Sequence, residues 1–297
     1  MPSENPFELE GNWYKGNLHT HTTVSDGDLS PADMCQVYRE HGYDFVYLTD
    51  HHRVTDVEGL SSPDFLVLPG AELSGVAGER SCDLLSINIS ELPEPCKGAP
   101  ANEVIAAVRE LGGEVILAHP YDLLSSDVFA LEGIVGLEVF NTSVHMNVKR
   151  GCAAFHWDAL LARGRRAWGF ATDDAHYHFN EHRPNDVCGG WIMVKAPALT
   201  GEALLDSIRR GLFYASNGPG IEHLTVSAEA VTLRTAEPCR SINFVGPSWG
   251  TSESFTPIDG SLITEAEFAL RDDQTYVRVE CTTPDGRMAW SNPLWLD

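Results

Sequence analysis

Two histidines with one residue between them, His19 and His21, close the apolar run Asn17-Leu18-His19-Thr20-His21. In an extended strand, residues i and i+2 point to the same side, so the two imidazoles aim at one place. That pairing is costly unless a cation sits between the rings, and a divalent metal is the usual occupant. The same spacing returns in Asp174 and His176. Four more residues able to ligate a divalent ion lie where other apolar runs end. They are Asp26 in Ser25-Asp26-Gly27, His51 in Thr49-Asp50-His51-His52, Glu72 in Gly70-Ala71-Glu72-Leu73-Ser74, and His119 in Ala118-His119-Pro120. One strand-end histidine is ordinarily a hydrogen-bonded core or surface residue. Eight ligand-type side chains at successive strand ends are not something packing requires.

The elements that must position these residues alternate. From about residue 13 to 220, short apolar runs exchange with helix-like stretches. The pattern predicts strands over 17–21, 45–49, 65–69, 83–89, 114–118, 137–140 and 166–172. It predicts helices over 31–40, 101–111, 153–163 and 201–210. Ser30 followed by Pro31 reads as an N-cap and first turn. This order predicts an α/β fold with a parallel sheet or barrel, its site at the carboxyl ends of the strands. After 215–220 the pattern changes to short strands with Gly and Pro turns, near 224–228, 231–235, 241–245, 275–281 and 293–296. The expected division is residues 1–221, carrying the site, and a small all-β module over 222–297.

Taken together, the His-x-His, Ser-Asp-Gly, Thr-Asp-His, Gly-x-Glu-x-Ser, His-Pro and Asp-x-His motifs resemble the polymerase-and-histidinol-phosphatase (PHP) family of metallohydrolases over about residues 13–220. The resemblance implies a distorted (β/α)7 TIM-like barrel with two or three divalent ions at its C-terminal mouth, and the mixture of His with Asp and Glu suits zinc, manganese or iron without choosing among them. It implies that His19, His21 and Asp174 hold one ion. Glu72 would bridge it to a second that His119 helps bind, and Asp26, His51 and His176 would hold a third. One departure stands out. Where relatives often carry a histidine before a short apolar strand, this chain reads Ser81-Cys82-Asp83-Leu84-Leu85, which makes Asp83 a possible ligand. Phe213-Tyr214-Ala215-Ser216-Asn217-Gly218-Pro219 and the segment from Val277 to Leu294 resemble the branch with a C-terminal β-module, which includes carbaryl-hydrolase-like enzymes.

Other residues near the motifs have two readings. Asp50 is either part of the catalytic apparatus, accepting a ligand histidine's N–H, or an ordinary strand-end cap. Glu138 and Asn141 end a strand at the level of the site and are candidates to line the substrate pocket. Arg53, Lys149, Arg150 and Arg183 fall in strand-end loops, and one of them is expected to meet a phosphate. His52, His178 and His182 either touch substrate or stand in solvent.

Composition bounds the partners. Lys and Arg number 20 against 43 Asp and Glu, a net charge of −23, which argues against nucleic acid. Bound cations still allow a phosphorylated small molecule by reversing the sign locally. No apolar run is long enough to span a membrane. The polar start lacks the pattern of a secretory signal. Seven dispersed cysteines without a Cys-x-x-Cys pair predict reduced thiols and a cytoplasmic setting.

The chemistry these residues point to is hydrolysis of a small-molecule phosphate ester, by hydroxide generated at a di- or trinuclear metal site. His119 or another mouth histidine would protonate the leaving group. A carboxylic or carbamate ester hydrolase using the same centre, and a non-catalytic metal-binding module, are the two rivals. No Gly-x-Ser-x-Gly elbow or P-loop argues for a different nucleophile or phosphate cradle.

Overall fold

A computed structural model of the protein describes residues 4–178 and 185–296. The chain begins with β1 (Asn12–Asn17), α1 (Pro31–Glu40), β2 (Phe45–Leu48), β3 (Leu66–Ala77), β4 (Arg80–Ile87), β5 (Lys97–Pro100), α2 (Ala101–Glu110) and β6 (Glu114–Leu117). It continues with α3 (Ser125–Ala130), β7 (Gly136–Asn141), α4 (Thr142–Val148), α5 (Ala154–Leu161), β8 (Trp168–Thr172), β9 (Trp191–Ala196), α6 (Gly201–Arg210) and β10 (Phe213–Ser216). The rest is strand: β11 (Ile221–Val226), β12 (Ala230–Cys239), β13 (Ser241–Val245), β14 (Glu253–Phe255), β15 (Ile263–Ala269), β16 (Tyr276–Thr282), β17 (Met288–Ser291) and β18 (Leu294–Trp295). No helix among the described residues is long and apolar enough to cross a membrane.

Helix α1 shows why the sequence folds as it does locally. Ser30 Oγ accepts the Asp33 N–H, Pro31 occupies the first turn, and Met34, Cys35 and Tyr38 form the buried face. The strands order as β1-β2-β3-β4-β6-β7-β8 along the site-bearing part of the sheet. The pairs β1–β2, β2–β3, β6–β7 and β7–β8 are parallel. The pairs β3–β4 and β4–β6 are antiparallel.

The fold is thus mixed α/β and richer in strands than a regular (β/α)7 alternation. The physical reason lies at Gly78, whose φ of +63° turns β3 straight back into β4 and leaves no room for a crossover helix. Strand β9, absent from the sequence expectation, pairs antiparallel with β1. The sheet curls until the segment after β8 meets the segment after β1. There Ala175 bridges Thr20, the His21 N–H donates to the Ala175 carbonyl at 2.8 Å, and the Asp174 N–H donates to the His19 carbonyl at 3.0 Å.

The core inside this curl is apolar, with Leu18, Phe45, Leu85, Ile116, Val139, Phe170 and Ile192 fully or almost fully buried. Toward the C-terminus, β10 pairs with β17, so β17, β16, β13 and β14 extend the same sheet. Strands β11, β12 and β15 form a separate antiparallel sheet, packed with the others around Leu224, Leu233, Phe244, Phe268 and Val279. The buried Arg278 of β16 joins this region to α5 through Asp158 at 2.5 Å, and also pairs with Glu280 at 2.7 Å.

Gly16 of β1 lies directly under the Phe45 ring, and a Cβ there would fall 2.1 Å from that ring. Gly16→Ala is therefore expected to destabilise the fold by about 1–3 kcal/mol, the usual range for overpacking. A thermal melt of the variant checks it, and an unchanged midpoint would refute the packing described.

Candidate metal centre

Beyond the end of β1 the chain stays extended enough that His19 and His21 both enter the curl of the sheet, each fully buried. Glu72 reaches the same point from the middle of β3, and Asp174 from the segment after β8. Four potential ligand atoms meet there. His19 Nε2 lies 3.2 Å from Glu72 Oε2 and 3.4 Å from Asp174 Oδ1. His21 Nε2 lies 3.3 Å from Glu72 Oε2 and 3.1 Å from Asp174 Oδ1. Ligands of a tetrahedral ion bound at roughly 2.0–2.1 Å stand about 3.3 Å apart, and the four nitrogen–oxygen separations here match that spacing. His19 Nε2 and Glu72 Oε2 are also buried without a hydrogen-bond partner. Buried polar atoms are nearly always satisfied, and a shared orphan point in a nest of donor atoms fits a cation.

Behind this group stands Glu138. Its Oε1 accepts from His19 Nδ1 at 2.7 Å and from the Thr172 hydroxyl at 2.6 Å. Its Oε2 accepts the His119 N–H and the Asn141 side-chain amide, both at 2.8 Å. With Nδ1 donating to Glu138, His19 presents the lone pair of Nε2 to the cluster.

Two further groups adjoin the first. In one, His21, Asp26, His51 and His176 bring ligand atoms within 4.8 Å of one another. His176 Nδ1 lies 2.9 Å from the Asp174 carbonyl, which turns Nε2 toward Asp26 Oδ1 at 3.5 Å. In the other, Glu72, Asp83 and His119 converge within the same limit, with His119 Nε2 3.1 Å from Glu72 Oε1. Glu72 is common to two groups, and His51 Nδ1 approaches its Oε2 at 3.0 Å. Backbone strain accompanies the arrangement: φ is +25° at His119 and +56° at Asp174, a region that side-chain-bearing residues enter sparingly.

The charges are coupled. Burial works to raise the Glu72 pKa, but His19, His119 and His51 overcome it and hold the carboxyl well below its usual range. Burial likewise opposes protonation of His19, and Glu72, Asp174 and Glu138 more than reverse it. His119 is pushed up to about 10, where its contact with Glu72 and the charge of Asp174 outweigh burial. Burial raises Asp83, helped by the nearby Glu72 charge. In the absence of metal, protons on histidine supply the positive charge that the carboxylates need.

Several expected roles change. Among the described residues, the Asp50 side chain has no hydrogen bond to a histidine. Its carboxylate accepts from the Thr22 N–H and hydroxyl, the Ser25 N–H and hydroxyl, and the Thr55 hydroxyl. It therefore braces the loop that carries Asp26. Glu138 and Asn141 are fully buried and hydrogen-bonded to one another, so they support the centre and do not line a substrate pocket. Asp173, next to Asp174, points away and gathers the N–H groups of Cys188, Gly189 and Gly190 with the hydroxyls of Tyr38 and Thr142. Arg53, Lys149 and Arg150 are exposed, and Arg183 and His182 lie outside the described residues. His178 lines a cavity of about 200 Å³ together with Asp26 and His176. Sequence reasoning missed the brace formed by Glu138 and Thr172. The available signal was a glutamate buried in the middle of an apolar strand, which requires donors around it.

No protein-family model matches the chain. An uncharacterised protein of Methanocaldococcus jannaschii is 28% identical over 147 residues, covering 43% of this chain and 81% of that one. Among solved structures, one of a two-domain protein from Bacteroides vulgatus, described as containing a predicted PHP-like metal-dependent phosphoesterase, matches with a TM-score of 0.52 and 14% identity over 99% of both chains. At that identity the likeness is one of fold. The lesion-specific endonuclease Q of Pyrococcus furiosus matches 68% of this chain and 56% of its own, at 16% identity and a TM-score of 0.41.

Protonated histidines standing in for a cation have a measurable consequence. The His119 contribution to stability of the ion-free protein is full below about pH 6.5, its unfolded value. It is lost as the pH rises through the folded value of about 10. Loading a divalent ion near neutral pH is expected to release protons. Calorimetric titration of Mn²⁺ or Zn²⁺ in two buffers of different ionisation enthalpy measures the release, and identical heats in both would contradict it.

Proposed function

We propose that the protein is a metal-dependent phosphoesterase acting on a small phosphorylated molecule. The observation that carries the reading is the buried group in which two imidazole nitrogens each lie 3.1–3.4 Å from two carboxylate oxygens, with two of these four atoms lacking hydrogen-bond partners among the described residues. His19, His21, Glu72 and Asp174 would hold one divalent ion; Glu72, Asp83 and His119 a second; His21, Asp26, His51 and His176 a third. Ions bound there would polarise a phosphoryl oxygen and acidify water toward neutrality. Zinc, manganese and iron all suit the mixture of imidazole and carboxylate.

The chain's own side chains do the rest. Glu138 fixes the tautomer and angle of His19, and Asp50 fixes the loop bearing Asp26. Glu72 and Asp174 offset cationic charge so that neighbouring ions can share the mouth. His119 is committed to the cluster through Glu72, so we assign leaving-group protonation to His178, which lines the adjacent cavity outside the three groups. The return of Ala175 beside Thr20 supports reading the curled sheet as a distorted barrel of the PHP type. Residues 1–221 would then form the catalytic unit, with 222–297 its β-module. A net charge of −23 supports a small-molecule partner over nucleic acid. The unpaired cysteines among the described residues support a reducing, cytoplasmic setting.

Parallel assays with p-nitrophenyl phosphate, bis-p-nitrophenyl phosphate and p-nitrophenyl acetate, each with added Mn²⁺ or Zn²⁺, test the reaction class. Phosphoester turnover is expected, and activity on the acetate alone would replace this reading with carboxylic or carbamate ester hydrolysis. His19→Ala and Glu72→Ala should each lower turnover by more than about a hundredfold, while Glu138→Gln should weaken metal affinity by roughly 10–100-fold. A protein that takes up no divalent ion on dialysis would overturn both hydrolase readings.

A further inference from the structure

Next to the His176 cavity, and sharing Met146 of α4 with it, lies a second concavity of about 550 Å³, within the size range of small-molecule sites. Its walls come from separate parts of the chain: Lys15 of β1, Phe140 of β7, Trp191 of β9, Met146 of α4, and Met288 and Trp290 of β17. Phe140 and Trp290, both buried, stack beneath it with centroids 5.9 Å apart and planes 24° from parallel. The Lys15 ammonium lies 4.0 Å from the Tyr43 ring centroid and 4.4 Å from that of Trp191. Among the described residues it has no carboxylate at ion-pair distance. The nearby Asp173 is occupied by three backbone N–H groups and two hydroxyls, and Asp44 by the Lys15 N–H. Asp285, the carboxylate in the wall, is paired with Arg287 at 2.8 Å. In a chain so acidic, a half-buried ammonium without a salt bridge, held over the Tyr43 and Trp191 rings at the edge of this concavity, is a recognition feature.

We propose that this concavity is a second ligand site, separate from the metal centre, for a flat apolar molecule bearing one anionic group. Trp191 and the two methionines, the partly exposed apolar lining, receive the body, and Lys15 receives the charge. Thr142, Asp173 and the Cys188–Gly190 turn form the partition from the metal centre, with Met146 bordering both cavities.

The probe is 8-anilinonaphthalene-1-sulfonate, titrated into the full chain and followed by its fluorescence and by tryptophan quenching. Saturable binding of one probe per chain is expected. Lys15→Met should weaken it by about tenfold or more, and Lys15→Arg should restore most of the loss. N-phenyl-1-naphthylamine, with the same rings and no sulfonate, should bind about tenfold more weakly and ignore Lys15→Met. If Lys15→Met does not fold, Arg287→Glu at the exposed edge gives an equivalent test, because it should repel the sulfonate and spare the neutral probe. Equal affinity for the two probes, or indifference of the sulfonate to these variants, would overturn the proposal. So would loss of probe binding in metal-stripped His19→Ala protein, since that places the anion on the metal centre.

Discussion

Glu72 is 1% exposed, and a carboxylate taken that far from water is untenable unless cations or donors surround it. Four histidines answer that demand. His19, His21, His51 and His119 each bring a ring nitrogen within 3.3 Å of a Glu72 oxygen, and Asp83 joins the edge of the group. The carboxylate can stand there only because β3 runs twelve residues without a break and folds back on β4. The hairpin that departs from regular strand–helix alternation is therefore what delivers the shared residue of two groups.

The remaining positions follow from the two strand ends that meet across the curl. Thr20 and Ala175 are bridged, so His19, His21, Asp174 and His176 are held at fixed spacing by backbone hydrogen bonds and not by side-chain packing alone. Asp174 accepts a left-handed backbone to reach inward while its neighbour Asp173 reaches outward to the turn at 188–190. Asp and Asn tolerate that conformation better than most residues, which reconciles a strained φ with a stable site. The same reversal puts the loop clamp and the carboxylate that faces the histidine cluster on adjacent residues.

Much of this was legible in the sequence. The i, i+2 pairs His19/His21 and Asp174/His176 and the motifs at Asp26, His51, Glu72 and His119 named the side chains that converge, because ligand chemistry restricts residue type; the strand expected over 17–21 ends at Asn17, so both pairs lie just past their strands and not within them. Asp83 was visible only as a departure from an expected histidine. The topology was less legible. Strand β9 is half-buried in alternation and pairs across a long sequence interval, and β4 runs antiparallel because of one glycine's φ. Both depend on pairing partners that local pattern does not name.

Residue type also failed to separate ligands from braces, and the reason is physical. Asp50, Glu138 and Asp173 are as buried as Glu72 and sit at the same level of the sheet. What distinguishes them is which atoms fill their lone pairs. Asp50 and Asp173 are saturated by backbone N–H groups and hydroxyls, and Glu138 by an amide, a hydroxyl, an N–H and an imidazole donor. A carboxylate so satisfied has no remaining demand for a cation and is stable as a hinge pin for the loop it holds. Glu72 and Asp174 face ring nitrogens, and Glu72 Oε2 finds no hydrogen-bonded partner at all. A neutral imidazole aims either a proton or a lone pair at such an oxygen, so the shell is satisfied by added protons on its histidines or by a shared cation in their place. The division of labour among the acidic residues is thus written in their donors, and the donors become visible only when the sheet has curled.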